Sequence, residues 1–347
     1  MDFILIRKLS MNRYSPISAI LFFQTRTDWA LAVLLLACTA LWSSAAHAAY
    51  PDKPIQIIIS FPPAGATDIL ARAIGQKLGE ALGQTVVVEN RPGAGGYIGL
   101  AAAAKATPDG YTIYLAAVSN AAIAAAAYAA PPAHLQRDFV PVAGIAIVPH
   151  MLVVPVTMPA QNVGQLINLI KMEPGKHNFA SQGVGTLSHL ESELFKSAAG
   201  LDMVHVPYKG SSQALPDLMA GSSSMMFDSI PASMPHVKSG KLRVLAVASG
   251  KRMALLPNVP TVDESGLKGF KADNLFGFSS PKGTPPAIIA TLSKTIQNVL
   301  ASPELRQRME AQGVELKYTP SSEFGQLVDQ EFRTWSKAVE MAKVKLD

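Results

Sequence analysis

Cysteine is all but missing from this 347-residue chain, and the single one, Cys38, lies in an N-terminal leader. An exported product would carry no disulfide, so a fold of this length has to be stabilised by apolar cores. Charge is sparse as well, at 16% of residues. Beyond residue 48 there remain 26 Lys and Arg against 23 Asp and Glu, a net charge of +3. Aromatics make up 7%, with no cluster of Lys and Arg interleaved among them, which argues against a nucleic-acid partner. Catalytic signatures are wanting too. Gly221-Ser222-Ser223-Ser224-Met225 lacks the last glycine of a nucleophile elbow. The histidines after the leader form no His-Glu-x-x-His pair, and His189-Leu190-Glu191 has no cysteine partners, so neither metal nor cofactor is expected. A secreted hydrolase is therefore the weakest of the candidate functions.

What is present begins with that leader. Arg7, Lys8, Arg13 and Arg26 precede an apolar run from Ala30 to Trp42, and Ala46-His47-Ala48 has the small-x-small form of a cleavage site. The run is shorter than the about 20 residues that span a bilayer. The pattern predicts a signal peptide over 1–48 and a periplasmic product starting near Ala49. Met11 is an alternative start, and Leu35-Leu36-Ala37-Cys38 partly matches a lipidation box.

The most informative stretch follows. Ile55-Gln56-Ile57-Ile58-Ile59 reads as a buried strand, and Ile69, Leu70, Ala73, Ile74, Leu78 and Leu82 recur at helical spacing up to Gly83. Between them, Phe61-Pro62-Pro63-Ala64-Gly65-Ala66-Thr67-Asp68 cannot be helix and must turn tightly. A helix start exposes free N–H donors and about half a positive charge, enough to hold an anion without Lys or Arg. Asp68 would compete with such an anion unless it sits to one side. An ordinary ligand-free turn is the alternative reading.

A second strand–glycine–helix turn occupies the other half: Asn178-Phe179-Ala180-Ser181, then Gln182-Gly183-Val184-Gly185-Thr186, then a helix from Leu187 to Ala199, with Thr186 or Ser188 as cap. Two opposed helix beginnings of this kind suit a ligand with anionic ends. Gly93-Ala94-Gly95-Gly96 also follows a strand, but the third glycine of a dinucleotide fingerprint falls on Ile98, so a tight turn is the reading there. Strands alternating with helices predict an α/β fold whose sheet is mostly parallel. Phe139 to Val154 reads as extended chain, with a passage between domains as one reading. The remaining tail reads as helical, with Thr284-Pro285, Ser302-Pro303 and Thr319-Pro320 as helix starts.

Seven stretches together resemble the Bug-type extracytoplasmic solute-binding receptors of tripartite tricarboxylate transporters. They are Tyr50–Ile55, Phe61–Asp68, Val88–Gly96, Pro108–Thr112, Gly185–Leu190, His205–Gly210 and Leu255–Thr261, in the family's order across the chain. The resemblance implies a periplasmic binding protein-like fold of type II: two α/β domains with the ligand cleft between them. Domain 1 would comprise 49–148 and 246–347, and domain 2 149–245. It implies that the loop matching Phe61–Asp68 holds a ligand carboxylate through backbone and water, approached from the other domain by the loop matching Ser181–His189.

The binding residues expected on these grounds are Phe61, Pro63, Ala64, Gly65, Thr67 and Asp68 in the first loop. Ser119 and Asn120 lie nearby. Ser181, Gly183, Gly185, Thr186, Ser188 and His189 belong to the second loop, with Tyr208, Lys209 and Asp228 beside it. Several stay open. Lys209 either faces a distal carboxylate or is a surface lysine. Tyr208 either lines the cleft or packs. His189 caps or packs rather than binding metal. Asp228 either meets an amino group on the ligand or braces a loop. Ala64 stands where the family has glycine. The implied function is capture of a small carboxylate (a di- or tricarboxylate, an acidic amino acid or an aromatic acid) by a monomeric receptor that delivers it to the membrane subunits of a transporter. A ligand-sensing receptor of a signalling system is the alternative.

Overall fold

The computed structural model describes residues 50–342, 344 and 345; the leader, its cleavage site and Cys38 lie outside the described residues. Strand β1 (Ile55–Ile59) sends Ile55, Ile57 and Ile59 to one face of the sheet, where they meet Leu70, Ile74 and Leu78 of α1 (Ala66–Leu82). Ile58 points to the opposite face, towards Tyr97 and Tyr114. Helix α1 ends where expected, at Gly83, whose φ of 65° suits glycine. Parallel to β1 on either side run β2 (Val86–Asn90) and β3 (Thr112–Ala117). Between β2 and β3 the chain forms α2 (Tyr97–Ala104), and after β3 come α3 (Val118–Ala127) and the short α4 (Leu135–Asp138).

The second half repeats the scheme. After α5 (Val163–Met172) come β5 (His177–Ser181), α6 (Leu187–Ala199), β6 (Met203–Pro207), α7 (Ser211–Met219), β7 (Met225–Ser229) and α8 (Ile230–Lys238). Strands β6 and β7 run parallel to β5.

The halves are joined by one long strand, β4 (Phe139–Pro155). Its first part, through Pro149, pairs with β9 (Asp273–Pro281); from His150 onward it pairs with β7 and with β8 (Leu242–Val247). The chain returns through the segment after β8, where Ala248 donates to the His150 carbonyl and Ala272 to the Ala248 carbonyl. The last strand, β10 (Glu315–Pro320), also pairs with β4, and α9 (Pro286–Leu300), α10 (Pro303–Glu310) and α11 (Ser321–Ala342) complete the first half.

Two expectations need correction. The sheet is mixed rather than mostly parallel, because every pairing of β4, and that of β3 with β9, is antiparallel. The tail is not all helix either. β9 is buried along nearly its whole length, so no alternation of polar and apolar residues marks it as a strand. Likewise Thr319 and Pro320 end β10 and Ser321 starts α11, whereas Ser302 caps α10 as expected, accepting from the Leu305 N–H.

Helix α11 docks on the sheet through Phe324, which lies over two glycines, Gly144 of β4 and Gly277 of β9. A Cβ on Gly277 would fall 2.1 Å from Phe324 Cζ. Overpacking of a tight core costs about 1–3 kcal/mol, so Gly277→Ala should lower unfolding free energy by that amount in urea titrations; an unchanged midpoint would show that α11 shifts freely. In the first loop, Ala64 has a φ of 67°. The left-handed region costs an alanine about 1–2 kcal/mol, offset in part by glycine's larger unfolded-state entropy. Ala64→Gly is therefore expected to stabilise the protein by about 0.5 kcal/mol, measured the same way.

Candidate functional site

In both halves the carboxyl ends of the parallel strands point to the gap between them, and the turns that leave those ends face one another. This is where open α/β sheets hold ligands. The two sides touch at glycines. A Cβ on Gly95 would sit 2.6 Å from the Val184 carbonyl oxygen, and one on Gly210 2.7 Å from the Pro62 ring. The positive φ of Gly93, Gly95 and Gly96 therefore serves a tight turn that approaches the opposite backbone.

Two connected regions of this gap matter. The outer one, about 350 Å³, lies between Gly93–Gly96 and Tyr128 on one side and Gln182, Gly183, Tyr208 and Lys209 on the other. The deep one, about 20 Å³, has room for about one ordered water. Phe61, Gly65, Ala66 and Thr67 form one wall of it, Gly210, Ser211 and Gln182 another, and His150, Ser229 and Asn274 close the end. No Asp, Glu, Lys or Arg lines it.

At the start of α1, Gly65 is the N-cap and no side chain caps it. Among the described residues, no acceptor reaches the N–H of Gly65, Ala66 or Thr67. The acid in this turn is drawn aside. Asp68 accepts from the Ala64 N–H (3.1 Å), Arg72 Nε (2.9 Å) and Asn90 Nδ2 (2.9 Å), and the same Asn90 nitrogen also donates to the Phe61 carbonyl. Burial alone would raise the Asp68 carboxyl, but these donors outweigh it and hold it below the usual carboxylate range. Asp68 thus braces the loop from behind without competing for the open N–H groups.

The second helix start is arranged differently from the expectation. Thr186 caps α6, and the next free donor, the Leu187 N–H, is taken by Asn120 Oδ1 at 2.7 Å from across the gap. The Gly185 N–H goes to His189 Nδ1, the Gly183 N–H to Ser181 Oγ, and Ser188 Oγ donates to the Phe227 carbonyl. The helix beginning that faces α1 across the deep cavity is instead that of α7. Gly210 is its N-cap with no side-chain cap, and among the described residues the N–H groups of Gly210, Ser211 and Ser212 have no acceptor. Thr186, next to the helix, and Asn120, from a distant part of the chain, are short polar side chains that reach the first turn of α6, whereas Lys209 and Gly210 offer α7 nothing comparable.

Of the residues expected from sequence, Phe61, Gly65, Thr67 and Asn120 line the deep cavity, and Gly183, Tyr208 and Lys209 the outer one. Pro63 and Ala64 are exposed at the turn and line neither. The rest lie behind the walls. Asp228 accepts from Gln182 Nε2 (2.7 Å), Ser211 Oγ (2.7 Å) and Ser233 Oγ, so it holds both lining residues in place. Ser119 donates to Glu331 and to the Asp273 carbonyl. Ser181 bonds His205, which stacks on His189 with ring centroids 4.1 Å apart. Burial lowers both imidazoles, His205 to about 3, so the stacked pair stays neutral.

Sequence reasoning missed Gln182, Gly210, Ser211, His150, Ser229 and Asn274 as lining residues. Gly210-Ser211 carried a usable signal, a glycine between a strand and a helix. His150 carried another, as a lone polar residue within an apolar run. Three of the missed side chains are buried with an unpartnered polar atom: His150 Nε2, Ser229 Oγ and Asn274 Oδ1. Each unpaired buried group costs about 1–3 kcal/mol, so three at one cavity call for a polar partner there, an ordered water or a ligand group.

Residues 70–344 match the family model described as tripartite tricarboxylate transporter family receptor. Protein BugT of Bordetella pertussis is 39% identical over 300 residues, 86% of this chain and 91% of BugT. Among solved structures, the Rhodopseudomonas palustris protein Rpa4515 with adipate superposes with a TM-score of 0.83 at 32% identity, over 85% of this chain and 99% of that one. MatC of the same organism, with bound malate, gives a TM-score of 0.79 at 28% identity, over 84% and 100%. The fold is thus the two-domain α/β fold of periplasmic binding proteins. With its matched segments spanning both halves and the cleft, the chain belongs to the tripartite tricarboxylate transporter family receptors, of the Bug type.

Proposed function

We propose that this protein is a periplasmic receptor that captures a small carboxylate between its two domains and delivers it to the membrane subunits of a tripartite tricarboxylate-type transporter. The observation that carries the reading is the deep cavity. Free N–H groups at the starts of α1 and α7 converge on it, with no acidic side chain in its lining to neutralise them. Each helix start contributes about half a positive charge. Charge-assisted hydrogen bonds are worth about 1.5–3 kcal/mol each. Three or four, less the ordering costs, reach the roughly 8 kcal/mol of micromolar binding. The carboxylates held by Rpa4515 and MatC support the choice of ligand class. One carboxylate occupies the deep cavity, displacing water, and the body of the acid extends into the outer one, towards Tyr128, Tyr208 and Lys209. The site binds without converting its ligand. On this reading the domains are divided at 148/149, one residue before β4 exchanges β9 for β7 between Pro149 and His150, and again near 245.

A thermal-shift panel of di- and tricarboxylates, acidic amino acids and aromatic acids tests the ligand class. At a hundred times its Kd, a ligand adds about 2.7 kcal/mol, a rise of about 5 °C for a protein of this size. No rise with any acid would refute the reading. Domain closure is tested separately by Gly210→Ala. The new Cβ keeps every N–H donor but meets Pro62, so affinity for the best acid of the panel should fall at least tenfold by calorimetry, and the unfolding midpoint should fall too, because Gly210 holds a φ of 151° that suits glycine. Wild-type affinity would place Gly210 away from the closing contact.

A further inference from the structure

His150 stands at the junction of the two halves. β4 pairs with β9 up to Pro149 and with β7 from His150. Its ring is fully buried, and Nδ1 lies 2.6 Å from Glu191 Oε2, itself fully buried on α6. The opposite ring nitrogen, Nε2, has no partner, although His150 lines the deep cavity beside the equally unpartnered Ser229 Oγ and Asn274 Oδ1. Every other lining residue of that cavity is uncharged at any ordinary pH, which leaves this pair as the titratable element in contact with it.

The proton count decides what the pair does to an anion. With two protons, one on Nε2 and one shared between Nδ1 and Glu191, the pair is neutral and offers an N–H donor to the cavity. With one proton it carries a full negative charge and turns a lone pair towards the ligand. Only the first state suits a carboxylate. The groups that face His150 from the elements packed on it are all acids: Glu191 from α6, Asp228 from β7 and Asp273 from β9. Asp228 is engaged by Gln182, Ser211 and Ser233, and Asp273 has Lys271 at 3.9 Å. Burial works against a charged imidazole, yet the pull of Glu191 and its hydrogen bond raise His150 above its ordinary value, while burial raises Glu191. Both directions keep the pair's protons in place.

Resting on the reading of the cleft as a carboxylate site, we propose that His150, held by Glu191, is the proton-dependent contact of the bound acid, donating Nε2–H to it from the end of the deep cavity. Loss of one proton from the pair to solvent removes the donor, leaves a negative charge against the ligand and releases it. His150 touches the ligand; Glu191 is a positioning residue that acts through the ring.

Two measurements on the purified protein test this. Histidine-selective ¹⁵N spectra, recorded without ligand from pH 6 to 9, should show His150 protonated at Nε2 at pH 7; a lone pair there at pH 7 overturns the proposal. Calorimetry with adipate and with L-malate should show affinity steady at low pH. It should then weaken as pH rises through the titration of the pair, approaching tenfold per pH unit. His150→Gln should remove that dependence, and Glu191→Gln should move its midpoint to lower pH. A flat profile in the wild type, or a wild-type profile in His150→Gln, also overturns it. If neither acid binds at any pH, that counts against adipate and malate as ligands of the cleft, and the His150 contact then stands or falls on the ring spectra. Should His150→Gln fail to fold, the wild-type spectra and pH profile still decide.

Discussion

The open first turn of α1 is the constraint on which the rest of this molecule depends. A helix beginning normally finds an acceptor within its own chain, most often a Ser, Thr, Asp or Asn cap. Here the cap position is Gly65, and the one acid in the turn, Asp68, is tied to Arg72, Asn90 and the Ala64 N–H. Three consecutive N–H groups are thereby left facing the gap. Leaving them bare costs stability, a cost that a bound carboxylate recovers under the proposed function. The arrangement needs rigid support, and the β1 isoleucines packed against Leu70 and Ile74 supply it.

The opposing half contributes through approach. The Pro62 ring meets Gly210, and Gly95 meets the Val184 carbonyl, so the two sides come closer than a Cβ at either glycine would permit. β4 carries the chain from one sheet to the other without interruption, exchanging β9 for β7 and β8 within one residue step. A continuous strand is a suitable pivot, because a small change in its twist swings one half against the other while its ladder bonds persist. Under the proposed function, a ligand shifts the balance towards the closed form only as far as it binds that form better. Groups that become contacts only on closure, such as the α7 N–H donors facing α1, are the ones able to do so.

Much of this was legible in the residues. The β1–α1 unit, the helix from Leu187 to Ala199 and its Thr186 cap follow from apolar spacing, a Pro-Pro turn and a hydroxyl at the right place. β9 was not legible, since a strand buried on both faces shows no period of two, and its Phe276-Gly277-Phe278 core looks like any apolar patch. The exchange of α6 for α7 as the second open helix start was hidden for another reason. Whether a cap is satisfied from within the helix or left free depends on a residue 67 positions away, Asn120, which occupies the Leu187 N–H. Long-range satisfaction of a donor has no local signature. His150 was visible as an oddity in an apolar run, but the carboxylate that gives it meaning, Glu191, lies 41 residues downstream.

The division between backbone and side-chain recognition explains why family is easier to read here than ligand. Peptide donors at a helix start respond to negative charge and hardly to what carries it, so under the proposed function the deep cavity selects for charge and hardly for the identity of the acid. On that reading discrimination falls to the outer space, where Tyr128, Gln182, Tyr208 and Lys209 surround about 350 Å³. Two of these are already committed: the Tyr208 hydroxyl donates to Asp217, and Gln182 to Ser211 and Asp228. Lys209, exposed and on a flexible stem, can follow a distal carboxylate over several ångströms but fixes no single length. A site so built distinguishes acids by the fit of their apolar middle against Phe61 and Tyr128 more than by any added hydrogen bond, and a methylene in such a pocket is worth only about 1–3 kcal/mol. Under the proposed function, selectivity among acids of similar length is therefore graded, with the first carboxylate supplying most of the affinity.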